Sequence, residues 1–144
     1  MKLSPNFTLE ELTHTDHREL DNTPQNDHLM NLKRLAAFLE GLRVVLGKPI
    51  HINSAYRSEA VNNAVGGQKT SQHSRGCAAD IRVKDMTPDQ VVRAILKSSL
   101  PYDQVIREFD RWTHVSIPNA IDVKPRKMAL IIDKKGTRPY KSSE

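Results

Sequence analysis

The run Ser71-Gln-His-Ser-Arg-Gly-Cys-Ala-Ala-Asp80, with His114 later in Trp-Thr-His-Val-Ser, restricts the fold more than any other stretch of the chain. It supplies two imidazoles and one carboxylate around a turn. That is the donor set of an open catalytic zinc site, in which three protein ligands sit at about 2.0–2.2 Å and a fourth position holds a water whose pKa falls to about 7. For the three to meet, the chain must reverse sharply after His73 and bring His114 back from a distant segment. Gly76 supplies the permissive backbone, Ala78 and Ala79 leave room for close packing, and Ala78 to Val83 reads as a strand carrying Asp80. His114 then comes from a neighbouring strand, so that two pieces of sheet grip one ion and hydrolysis is the expected chemistry.

The rest of the pattern supplies elements to carry such a site. Thr8-Leu-Glu-Glu11 has the form of a capping box opening a short helix in an N-terminal lead-in. From Gln25 to Leu46 the residues Leu29, Leu32, Leu35, Ala36, Leu39, Leu42, Val45 and Leu46 recur at steps of three and four, the period of one buried helical face, until Gly47 and Pro49 stop it. Residues 50–54 alternate as a strand, a short helix runs to Val65, and Thr87-Pro-Asp-Gln opens a second helix with Val91, Val92, Ile95 and Leu96 inward. Residues 105–109 and 112–117 read as two strands about a tight Asp110-Arg111 turn, and 128–132 as a third. The expected architecture is α+β: a mainly antiparallel sheet with helices on one face. One domain over residues 1–144 is expected, with only its ends loose.

Composition narrows the partners. Lysine and arginine number 22 against 17 acids, a net charge of +5, which favours anionic material such as nucleic acid or a cell-wall polymer. Aromatic residues make up only 5%, too few to build stacking platforms for single strands, so no nucleic acid is expected. Much of the basic excess lies in Lys124, Arg126, Lys127, Lys134, Lys135, Arg138 and Lys141, which read as a solvated tail. Cys77 has no partner for a disulfide and reads as a small buried filler. His14, His17, His28 and His51 lack a comparable setting and read as ordinary surface or core histidines. No apolar run is long enough to span a bilayer, and Met1-Lys-Leu-Ser-Pro-Asn has no core of signal-peptide length. The expectation is a monomer made in the cytoplasm without a signal peptide.

Ser71-x-His73-x-x-Gly76-x-Ala78-x-Asp80, with Trp112-x-His114 downstream and Ser54-Ala-Tyr-Arg57 upstream, resembles the zinc D-Ala-D-Ala carboxypeptidase family, whose fold is shared with lysostaphin-type peptidases and the hedgehog signalling domain. The likeness covers residues 7–118, leaving a C-terminal strand and basic tail at 119–144. It implies one Zn2+ held by His73, Asp80 and His114, with Arg57 binding a substrate carbonyl or carboxylate. A guanidinium fork suits that role, although Arg57 reads equally as a salt bridge pinning the turn. Ser71 and Gln72 flank the first ligand, where they bind substrate, orient the imidazole or close a turn. The implied substrates are the stem peptides of peptidoglycan, cut by a phage endolysin or a D,D-carboxypeptidase; an endolysin would reach the wall only after release.

One position departs from the family. Many relatives carry an acid three residues before the last histidine, where this chain has Arg111. Glu108, at the spacing of a zinc-facing glutamate in the hedgehog-like branch, is the expected general base; Asp110 is the alternative, in a turn where aspartate is common for local hydrogen bonds. Glu108 would take a proton from a zinc-bound water acting as nucleophile, and Arg57 would stabilise the oxyanion. The competing reading is a non-catalytic zinc-binding module of the same fold, acting in cell-wall or partner binding.

Overall fold

Thr8 closes one element and opens the next. In the computed structural model, which describes residues 1–141, it ends the antiparallel pair β1 (Lys2–Ser4) and β2 (Phe7–Thr8) and caps α1 (Leu9–Leu12). Its hydroxyl accepts from the Glu11 N–H at 3.1 Å while the Glu11 carboxylate accepts from the Thr8 N–H at 3.4 Å, satisfying two donors that a helix start leaves open. Phe7 and Leu12 are thereby fixed in the core.

The long amphipathic helix α2 (Asn26–Leu46) buries Leu32, Leu35, Ala36, Leu39 and Leu42, and ends at Gly47, whose φ of 65° and N–H bond to Arg43 O at 2.8 Å make the left-handed cap expected there. Phe38 joins the core, whereas Val45 is exposed, a correction to the expected face. In the last turn Val45 points to solvent while Leu46 still packs partly against the core. Strand β3 (His51–Ser54) leads to α3 (Glu59–Ala64), a 3-10 turn at Gln72–Arg75 and β4 (Ala78–Arg82). Then comes α4 (Pro88–Lys97), capped by Thr87 and Gln90, which buries Val91, Val92 and Ile95 but leaves Leu96 partly exposed.

Strands β5 (Gln104–Glu108), β6 (Trp112–Ser116), β7 (Met128–Asp133) and β8 (Gly136–Pro139) complete a six-stranded sheet of order β3-β4-β6-β5-β7-β8. All its pairings are antiparallel except β5 with β7, which is parallel and is reached through the connection 117–127. The α+β layering holds, with α4 against β5 and β6 and α2 against α4. The expected third strand is β7, and the basic tail expected to be loose after it forms β8 instead; the last residues, 142–144, lie outside the described residues. Phe109, expected at a strand end, lies instead in the β5–β6 turn.

Side chains alternate across a strand, and that alternation positions the site. One row, Ile52, Ile81, Ala79, Val115 and Val105, is buried under the helices. The residues between them, Asp80 on β4, His114 on β6 and Ile106 and Glu108 on β5, face the other way. Register places Asp80 opposite His114, Ile106 opposite His114 and Glu108 opposite Trp112, so all five share one face.

Candidate metal centre

His73 is held by its backbone setting before any ligand is considered. Ser71 caps the 3-10 turn, accepting from the His73 N–H at 3.2 Å, and Gly76 ends it with a φ of 77°. The segment that follows β3 is stitched to this turn twice, by Arg57 N–H to His73 O at 3.1 Å and by His73 Nδ1 to Ala55 O at 2.7 Å. The second bond places a proton on Nδ1 and turns Nε2 toward Asp80. The N-terminal lead-in braces the same segment: Tyr56 N–H donates to Leu12 O, and the Asn22 side chain donates to Tyr56 O and accepts from Ser58 N–H.

Gly76 is a point of close approach. A Cβ there would stand 2.7 Å from the His28 carbonyl oxygen and 3.1 Å from Leu32, both on α2. Gly76→Ala is therefore expected to destabilise the fold by roughly 2–4 kcal/mol, from left-handed strain plus overpacking, in a denaturant-unfolding experiment. An unchanged midpoint would mean that the turn is free to move away from α2.

Across the sheet, Asp80 Oδ1 lies 3.3 Å from His73 Nε2 and 3.0 Å from His114 Nδ1, and the three donor atoms fall within 4.8 Å of one another. Donors placed tetrahedrally at about 2.0–2.1 Å from one zinc ion stand about 3.3–3.4 Å apart, so the two Asp80 contacts come close to that spacing and the donor set suits the ion in chemistry. The imidazoles meet edge to face with ring centres 5.1 Å apart, so they do not stack. Burial alone would raise the Asp80 carboxyl, but the charges and hydrogen bonds of His73 and His114 outweigh it and hold Asp80 well below the usual carboxylate range.

These atoms lie in a cleft of about 500 Å³ whose lining also includes Arg57, Ser71, Gln72, Glu108, Trp112 and Arg126. Glu108 Oε1 stands 4.0 Å from His114 Nδ1 with its side chain largely buried. Burial, and then the Asp80 charge, push its carboxyl above the ordinary range against the opposing pull of His114, the Trp112 indole and Arg57. Asp110 does not line the cleft; its carboxylate pairs with Arg107 Nε at 3.0 Å. Arg57 extends into the cleft with one terminal nitrogen 3.5 Å from Ser71 Oγ, while its buried Nε meets no acceptor among the described residues. Arg57 forms no salt bridge to the turn among the described residues.

Gln72 is nearly as buried as its ligand neighbour and lies at the heart of a polar network. Its Nε2 stands 3.0–3.1 Å from Asp103 Oδ2, Ile117 O and Asn119 Oδ1. Asp103 in turn is clamped by Arg126 through the backbone N–H, Nε and a terminal nitrogen. Arg126, expected in a solvated tail, thus ties the connection before β7 to the 3-10 turn and forms one wall of the cleft. Nothing local in the sequence links positions 103 and 126. Ile106 and Gln104 were findable, because period-two alternation back from Glu108 puts both on the cleft face. Of the remaining histidines, His28 bonds the Tyr56 hydroxyl at 3.0 Å and His14 faces Asp16, both apart from this cluster. Cys77 is buried and free.

A family model for Peptidase M15 matches residues 5–116. A search of curated proteins finds no match.

Proposed function

The chain belongs to the peptidase M15 family of zinc metallopeptidases, and from that premise we propose that it hydrolyses the D-amino-acid-containing stem peptides of bacterial peptidoglycan, as a phage endolysin or a D,D-carboxypeptidase does. The observation that carries the reading is the convergence of His73 Nε2, Asp80 Oδ1 and His114 Nδ1 on the floor of an open cleft, with the Glu108 carboxylate 4.0 Å from the third. Held by those three side chains, zinc would supply Lewis-acid chemistry, acidifying a water and polarising the scissile carbonyl.

Glu108 accepts a proton from the attacking water. As the water oxygen bonds to the carbonyl carbon and the C–N bond breaks, Glu108 delivers that proton to the departing nitrogen, which leaves as an amine. Arg57 presents its guanidinium to the carbonyl oxygen, where negative charge grows, and Ser71 steadies the guanidinium from the side. The Ala55 carbonyl keeps the His73 ring in one tautomer, and Gln72, anchored by Asp103, keeps the turn that carries His73 from swinging out. The excess of positive charge favours an anionic wall. No helix among the described residues is long and apolar enough to cross a membrane.

Purified peptidoglycan incubated with the protein is expected to release peptide fragments identifiable by mass, to stop doing so when a chelator is added, and to resume when zinc is restored. Zinc bound with no fragment released across a range of pH would remove the enzymatic reading and favour a non-catalytic module.

A further inference from the structure

The face of the sheet that carries the cleft continues past Glu108. Beyond it lies a second hollow of about 470 Å³, walled by residues 109–112 at the β5–β6 turn on one side and by Asp133, Lys134 and Lys135 at the β7–β8 turn on the other. Trp112 lines both the hollow and the cleft, so the two adjoin at that side chain. The β7–β8 side lies outside the residues that the family model matches.

Two features mark the hollow as built to hold something. First, Phe109 and Asp110 have φ of 53° and 51°, left-handed values that suit glycine or asparagine and burden a bulky aromatic residue. The strained backbone holds the Phe109 ring 44% exposed and tilted against Trp112 at 5.9 Å, an apolar wall open to solvent. Second, its cations outnumber its acids: Asp110 and Asp133 also line it, but Asp110 pairs with Arg107 and Asp133 with Arg138, with Lys135 acting on Asp133 as well, whereas Arg111 and Lys134 form no ion pair among the described residues. The hollow therefore complements an anionic group on an apolar body.

The reaction gives its direction. The leaving nitrogen must come within reach of Glu108 to be protonated, and the chain that departs with it runs on past Glu108 toward Phe109 and Trp112. A single departing residue would be accommodated in the cleft itself. We infer that this hollow holds the amine-side segment of the substrate beyond its first residue, a peptide carrying a carboxylate, and that the protein is an endopeptidase. The inference rests on the peptidase reading above and adds to it which side of the bond is extended.

The test compares two synthetic peptides with the same acyl portion, supplied with zinc-loaded protein. In one the scissile amide is followed by a single D-alanine; in the other it is followed by a three-residue segment ending in a carboxylate. The longer peptide is expected to be cut with at least about tenfold higher kcat/KM, the ratio of one well-made additional contact. Lys134→Glu with Lys135→Glu should reduce that preference about tenfold. Phe109→Gly should also reduce it while leaving the melting temperature equal or higher, because glycine relieves the left-handed strain. Equal or faster release of D-alanine, or a preference that survives both variants, overturns the inference and leaves the peptidase reading standing. Cleavage of neither peptide overturns both.

Discussion

Glu108→Gln is expected to retain zinc and to lose activity by about a hundred- to ten-thousandfold, the range attached to a single placed proton-transfer group. Glutamine keeps the size of the side chain and its place opposite Trp112, so β5 and β6 should pair as before. What it loses is the ability to accept a proton. No other described acid stands ready to replace it: Asp80 is engaged by both imidazoles, and Asp110 is turned to Arg107 with its side chain 70% exposed. Asp110→Asn should accordingly leave the rate near that of the unsubstituted protein, since Arg107 retains Asp89 at 3.4 Å. Fragment release from peptidoglycan and zinc content by elemental analysis decide the matter together. Full activity in the Glu108 variant with loss in the Asp110 variant would transfer the role to the turn.

The residues that meet at the centre were readable because their constraints are local. His73, Gly76 and Asp80 lie within one short run, and a turn that must reverse the chain between two donors leaves its mark as a glycine followed by small residues. Thr8 and Thr87 announced their helices for the same reason, since a cap bonds within three residues. Features fixed by distant partners were not readable. Arg126 reads as one more cation in a basic stretch until the fold brings Asp103 beside it, and β8 becomes a strand only because β7 offers an edge to pair with. Phe109 continues the apolar run of Val105 and Ile106, which reads as strand; the Glu108 to Trp112 register instead forces it into the turn. Asp110 and Glu108 were separable only in space, because two positions along a chain say little about which carboxylate faces a cleft.

Asp80→Ala is expected to weaken zinc binding by roughly a hundred- to a thousandfold, taking one donor of four to carry about a quarter of the ~10–16 kcal/mol that structural zinc sites supply. The expected effect exceeds that of a neighbouring support because Asp80 is, among the described residues, the carboxylate in contact with both imidazoles, and its charge offsets part of the ion's. His73 would keep its orientation through Ala55 O, so the variant isolates the missing oxygen from a general loosening of the turn. Asp80→Asn sharpens the comparison: it restores the shape and one acceptor but not the charge, and should recover packing without recovering affinity. Zinc affinity by competition with a chelator, read beside thermal melting of the metal-free proteins, separates the two contributions. If Asp80→Ala binds zinc as tightly as the unsubstituted protein while melting at the same temperature, the carboxylate is not a ligand, and the cleft must hold its ion, if any, in another way.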